Sequence, residues 1–434
     1  AYQYRYDDHD RMTGKKLPGC GWIHYAYDGN DRMVFIQDPV QRKQGRSTFV
    51  LCDSLGRQCV TGTCSFTFPQ GHNVQGEVYC HYTGREEGLA GYAPSGITLT
   101  DARVATATYY DNYDFLDDLC HDSKLPKGDL VYGRQAECVT GLVTGRVNSV
   151  LESADSVTPR KLFSVIKYDH RARPARMETE NLLGGYDVED TEHDFQGRVT
   201  KRHVLHHASL LTNDLEEEYS YAYDHAGRLL TVGHTVNGGE SRVLADNQYD
   251  ELGRLKANKA NGSEALFTSY DYNLRSWLTK VTNPAFEEEL LYNESDGTAK
   301  PLYGGNISSM EWKAGIDGGS RRYGFTYDGL GRLTAATYGE KATSGKKPGK
   351  GGGNYDTRYA YDKMGNILSL RRQGLHDDGA CDVIDDLKYT YNGNQVIRVD
   401  DSAIDPVYKD CFTFVDGADD ETECEYDENG NQTK

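Results

Sequence analysis

The chain has 434 residues, of which 37% are hydrophobic, 32 are Tyr and 47 are Gly, a balance suited to amphipathic strands and many turns and unsuited to a large helical core. Its 67 acidic and 48 basic residues leave a formal charge of −19, a field that repels phosphate backbones and anionic surfaces, so nucleic acid is excluded as a partner of this segment. No apolar run reaches the roughly 18 residues a membrane helix needs, so no membrane span is expected.

Ala1-Tyr2-Gln3-Tyr4 opens directly into a short motif without a signal peptide, and the end, Asn429 to Lys434, stops just past a turn, so a piece from the middle of a longer protein is expected. The motif is an aromatic, one residue, Tyr-Asp, two variable residues, then Gly and Arg or Asn before an aliphatic. Tyr4 to Met12 and Tyr25 to Met33 are the first copies, with Asp10 and Asp31 where Gly would stand, and Cys52-Asp53 with Gly56-Arg57 is a degenerate third. Residues 1–64 thus read as repeats, and 65–161 read as divergent repeats or an inserted β subdomain. The array resumes over 162–434. There His193-Asp194 with Gly197-Arg198 and Tyr272-Asn273 with Arg275 are degenerate copies. The clear ones centre on Tyr223, Asp224, Gly227 and Arg228; on Tyr249, Asp250, Gly253 and Arg254; and on Tyr327, Asp328, Gly331 and Arg332. Further copies follow at Tyr361, Asp362, Gly365 and Asn366, at Tyr391-Asn392 and at Tyr426-Asp427. Such self-similarity marks a stacked repeat architecture.

Each copy predicts a β-hairpin. Tyr359 and Tyr361 share one face of a strand because side chains repeat with period two. Asp362 then starts a turn whose backbone NH groups its carboxylate accepts, and Gly365 supplies the positive φ. Isolated hairpins are marginal in water, so the units are expected to pair into one long sheet, with mostly strand and turn.

The repeat aspartates recur at one turn position, which favours turn capping over a glycosidase carboxylate pair. His203, His206 and His207 have no familiar metal-ligand spacing, although a helix would bring them together. Asp427 to Asn431 has the flavour of a calcium loop, and 345–351 departs from a phosphate loop in its spacing. Trp22, Trp277 and Trp312 are candidate sugar platforms or, more simply, cross-strand contacts. Ten cysteines, seven of them before residue 139, are compatible with disulfides in an oxidising compartment. No enzyme activity, cofactor or metal is expected.

The Tyr-x-Tyr-Asp-x-x-Gly-Arg-Leu copies resemble the YD repeats of the RHS (rearrangement hotspot) family, and phrases such as Lys16 to Trp22 and Tyr272 to Leu278 are similar to members from Bacteroides-like bacteria. The resemblance implies an all-β protein, a spiralling sheet forming part of a hollow shell around a C-terminal toxin cargo, secreted or at the cell surface. Its Asp-Pro-x-x-Gly-Arg-Phe-like core is missing, since Asp38-Pro39 and Asp405-Pro406 lead to no such motif. The alternative expectation is a surface adhesin that binds glycans.

Overall fold

The structure is a computed structural model and describes all residues except 1, 86–87, 122, 151–159, 210–212, 295–298, 316–318, 342–353, 376–380, 404–413 and 418–419. Alternation in the sequence decides the architecture: Arg46–Cys52 buries every second side chain, and Thr357–Tyr361 alternates exposed with half-buried positions. Among the described residues, 26 strands form one open antiparallel sheet, the all-β hairpin array the motif predicts.

The chain forms two compact units. The first comprises Ala1–Ala222, Val232–Arg242 and Asp427–Asn429, and the second Tyr223–Thr231, Val243–Tyr426 and Gly430–Lys434.

In the first unit, consecutive strands pair from Gln3–Tyr6 to Gln58–Ser65, which then pairs with Thr100–Asp111. Pairing continues through Val139–Ser149 and Lys161–Tyr168 to Leu215–Tyr223. Residues 66–99 leave the sheet and carry a separate two-stranded one, Tyr79–Tyr82 with Tyr92–Ser95. The following excursion, 112–138, holds the helix Phe115–Leu119. Val78, Cys80, Tyr92 and Phe115 from these excursions join Phe35, Phe49, Leu51, Val60 and Val147 of the sheet in one buried cluster. Close approach demands Gly145 on the strand beneath, because a Cβ there would lie 2.1 Å from Cζ of Phe115.

The second unit pairs its strands in chain order from Arg242–Tyr249 to Gln395–Asp401. Its buried apolar residues are few and scattered: Ala257, Leu290, Tyr292, Ala336, Tyr338, Ile384 and Leu387 among those described. A sheet so thinly covered depends on contacts along its own edge.

A little helix accompanies the strands. Pro39–Lys43 forms one turn of α-helix, nucleated by a capping box: Gln41 N donates to Asp38 Oδ1 at 2.8 Å and Asp38 N to Gln41 Oε1 at 3.1 Å. Asp38-Pro39 is therefore a helix start.

Candidate functional site: the recurring turn

In the copy at Asp250, the strand Arg242–Tyr249 runs into a turn closed by two backbone bonds, Asp250 N to Arg254 O at 2.9 Å and Gly253 N to Asp250 O at 3.0 Å. Asp250 Oδ1 accepts from Leu252 N and Arg254 N, each at 2.9 Å, and Oδ2 from Arg254 Nε at 2.7 Å. One carboxylate thus satisfies three donors, and Gly253 at φ +81° turns the chain back. The other named copies repeat this geometry. Arg228 N lies 2.9 Å and its Nε 2.6 Å from Asp224; for Arg332 and Asp328 the distances are 3.0 and 2.6 Å. At Asp362 an asparagine replaces arginine, with Asn366 N at 2.8 Å and Nδ2 at 2.7 Å. Gly227, Gly331 and Gly365 have φ of +83°, +75° and +96°.

Each arginine also reaches the following copy. Arg228 Nη1 donates to Asp250 O at 3.4 Å, Arg254 to Asn273 O at 3.1 Å, and Arg332 to Asp362 O at 2.8 Å. The same guanidiniums lie over the next tyrosine: Arg228 over Tyr249 at 4.8 Å, Arg254 over Tyr272 at 4.8 Å, Arg332 over Tyr361 at 4.7 Å. Those tyrosines reach backwards, since Tyr249 donates to Leu229 O at 2.8 Å, Tyr272 to Leu255 O and Tyr361 to Leu333 O, both at 2.9 Å. Tyr223 ends the strand Leu215–Tyr223 half-buried. Neighbouring turns are therefore joined in both directions by charge-assisted and hydroxyl bonds that replace a covering layer.

The register shifts at the same place in copy after copy, between Gln248 and Tyr249, Thr326 and Tyr327, and Ala360 and Tyr361, as it does at Ala26 and Tyr27. A bulge of this kind bends its strand and increases local twist.

The turn tolerates substitution where its hydrogen bonds hold the backbone. Asp10 and Asp31, at the glycine position, adopt φ of +59°. Tyr168-Asp169 with Arg173 is a further copy of the turn, hidden in the sequence because Ala172, at φ +60°, stands for Gly. Arg173 still donates to Asp194 O at 2.7 Å. A Tyr-Asp pair with Arg four residues on is the signal that finds it. Asn273 with Ser276 at φ +61° is another variant. Asp28 is further employed: its Oδ2 accepts from Val78 N at 3.1 Å, tying the 66–99 excursion to the second turn.

These contacts hold Asp7, Asp224, Asp250, Asp328 and Asp362 below the usual carboxylate range. Asp7 is brought down to about 2, chiefly by the Arg11 side chain. Asp224 and Asp328 are lowered mainly by the backbone NH groups of Arg228 and Arg332. At Asp250 and Asp362 burial opposes the shift, but hydrogen bonds from Arg254 and Asn366 outweigh it. The carboxylates are consumed by their own turns.

The remaining candidates are dispersed or engaged. His203, His206 and His207 lie on the strand Val199–His207 and face Glu216, Asp187 and Asp214 respectively. No group of three metal-ligating side chains is found among the described residues. Trp22 lies under Arg5 at 3.9 Å, Trp277 contacts Arg275 and Tyr292, and Trp312 stacks on Tyr323. Asp427 accepts from Asn429 N at 2.9 Å, with Gly430 at φ +86°, as in the other turns. Cys20, Cys52, Cys59, Cys64, Cys80, Cys120, Cys138 and Cys424 form no disulfide in this structure. The loop 345–351 and Asp405-Pro406 lie outside the described residues. No helix among the described residues is long and apolar enough to cross a membrane.

No family model and no curated protein matches this chain. It is similar to solved toxin structures at great distance. A mutant Tc holotoxin pore of Photorhabdus luminescens is 10% identical at TM-score 0.30, covering 92% of this chain and 21% of that one. A TcdB2-TccC3 crystal structure without its hypervariable C-terminal region is 10% identical at TM-score 0.30, covering 99% and 24%. A crystal structure of TcdB2-TccC3 is 11% identical at TM-score 0.29, covering 99% and 25%. The chain spans a quarter or less of those chains, and a likeness this distant assigns neither activity nor partner.

Proposed function

We propose that this chain is a non-catalytic structural segment of a secreted RHS-like protein, forming part of the wall of a β-sheet shell around a C-terminal toxin cargo. The observation that carries this reading is the repetition of one turn, with one bulge at one position, each copy passing its arginine to the next. A catalytic site is needed once; this arrangement is made for extension. Bulges at equivalent places bend successive hairpins in the same sense, which is what a curved wall requires. The glycan-binding adhesin draws no comparable support, since each tryptophan is taken up by a neighbouring arginine or aromatic ring.

The test is limited proteolysis of the full-length secreted gene product, followed by mass spectrometry. A C-terminal region that survives in native buffer and is digested once the sheet is unfolded agrees with enclosure. A C-terminal region cut as fast in native buffer as in denaturant contradicts it.

A further inference from the structure

Cys59, on the strand Gln58–Ser65, and Cys80, on the strand Tyr79–Tyr82, are both buried, 2% and 1% exposed. They line one cavity of about 360 Å³ with Arg57, Tyr92, Tyr109 and Phe115. Both thiols face that one cavity, and Cys59 Sγ donates to Arg57 O at 3.4 Å. They sit on two segments that share no ladder, the main sheet and the separate hairpin of the 66–99 excursion. That excursion is already fixed at three neighbouring points: Val74 N to Tyr27 O at 2.8 Å, Gly29 N to Gly76 O at 2.7 Å, and Val78 N to Asp28 Oδ2 at 3.1 Å. The cavity that both thiols line therefore lies between segments already held in place.

We propose that Cys59 and Cys80 are a disulfide-forming pair that, on exposure to a low-molecular-weight disulfide, staples the 66–99 excursion to the main sheet. The Cys59 thiolate attacks one sulfur of the oxidant, forming a mixed disulfide and expelling one thiolate. Cys80, on losing its proton, attacks the Cys59 sulfur of that mixed disulfide and expels the second thiol. Two protein thiols and one oxidant disulfide become one protein disulfide and two small thiols, so electrons and protons balance. The division of roles follows the surroundings: hydrogen bonding from Cys80 favours the Cys59 thiolate, and the same contact together with burial holds Cys80 protonated. Entry is provided by the cavity, whose rim includes Leu55, 75% exposed.

Cys64 and Cys120 are internal controls, since both are buried and burial pushes their thiols up to about 11 and about 12. Cys52, across the turn from Cys59, is the competing partner.

The experiment incubates the purified chain with oxidised glutathione, blocks remaining thiols by alkylation after denaturation, and maps the non-reduced digest after cleavage at Glu77. The expected result is a cross-linked pair of peptides joining Cys59 to Cys80, a loss of two hydrogens, and loss of Cys80 alkylation, with Cys64 and Cys120 fully alkylated. C59S should abolish the cross-link and C64S should leave it. If C59S does not fold, the wild-type map decides alone. Alkylated Cys59 and Cys80, or a Cys52–Cys59 or Cys64–Cys80 link, overturns the proposal.

Discussion

Asp169 shows how much one side chain carries. Its Oδ1 accepts from Arg171 N at 2.8 Å and Arg173 N at 3.0 Å, and its Oδ2 from Arg173 Nε at 2.7 Å. Asp169→Ala leaves these donors without their acceptor, and a loss of about 2 kcal/mol in urea unfolding is expected. Asp169→Asn should lose less than half of that, because an amide oxygen serves the two NH groups as Asn273 does for Arg275 and Trp277. Equal losses for the two variants would show that the NH bonds are not the stabilising part. Ala172, at φ +60°, predicts the reverse: Ala172→Gly should stabilise by about 1 kcal/mol by relieving the left-handed strain, and a lowered Tm would contradict that. This residue is also where the sequence was hardest to read. Gly marks a turn to the eye, but here the hydrogen bonds of Asp169 enforce a conformation that alanine alone does not prefer.

Acid should act on several of the turns together. Asp7, Asp224, Asp250, Asp328 and Asp362 have folded values below their ordinary 3.8. A depressed carboxylate contributes stability that is present above the unfolded value and lost as pH falls through the folded one. The window is thus from 3.8 down to about 2, the value reached by Asp7. The urea midpoint is expected to hold steady from pH 7 to about 5 and to fall below about 4. A midpoint unchanged down to pH 2 would show that the turns do not need their ion pairs.

At the scale of the element, the unit is a hairpin tied to its neighbours. Tyr361 connects its own turn to the strand Leu333–Lys341 through Leu333 O. Tyr361→Phe removes that bond and should lower stability by roughly 0.5–1.5 kcal/mol. Amide exchange should rise first in Leu333–Lys341 and Thr357–Tyr361, the strands that bond joins. Faster exchange spread evenly through the chain would contradict a locally tied ladder. The hairpins were legible in the sequence because the alternating Tyr pair, the Asp and the Gly each impose a local conformation. The bulge beside Tyr249, Tyr327 and Tyr361 was not, because it is a relation between two strands and leaves no mark in the spacing of either. The helix after Asp38 was missed for a different reason: a five-residue element has no period to detect, although its capping box was in plain view.

For the whole molecule, the motif conveyed the all-β class and the single long sheet, since one turn repeated along a chain leaves few other ways to satisfy its strands. What stayed hidden was where the chain would build a core. Residues 66–99 and 112–138 lack the motif, and the buried cluster around Phe115 forms through contacts between residues far apart in sequence. The proposed wall rests on two features, little core among the described residues of the second unit and a ladder of tied turns.

The measurement that tests this most directly is electron cryomicroscopy of the full-length secreted gene product. The account predicts a continuous curved β-sheet wall with the repeat turns in register and density for the C-terminal region inside it. A flat or open sheet with both faces in solvent and the C-terminal region outside would contradict it.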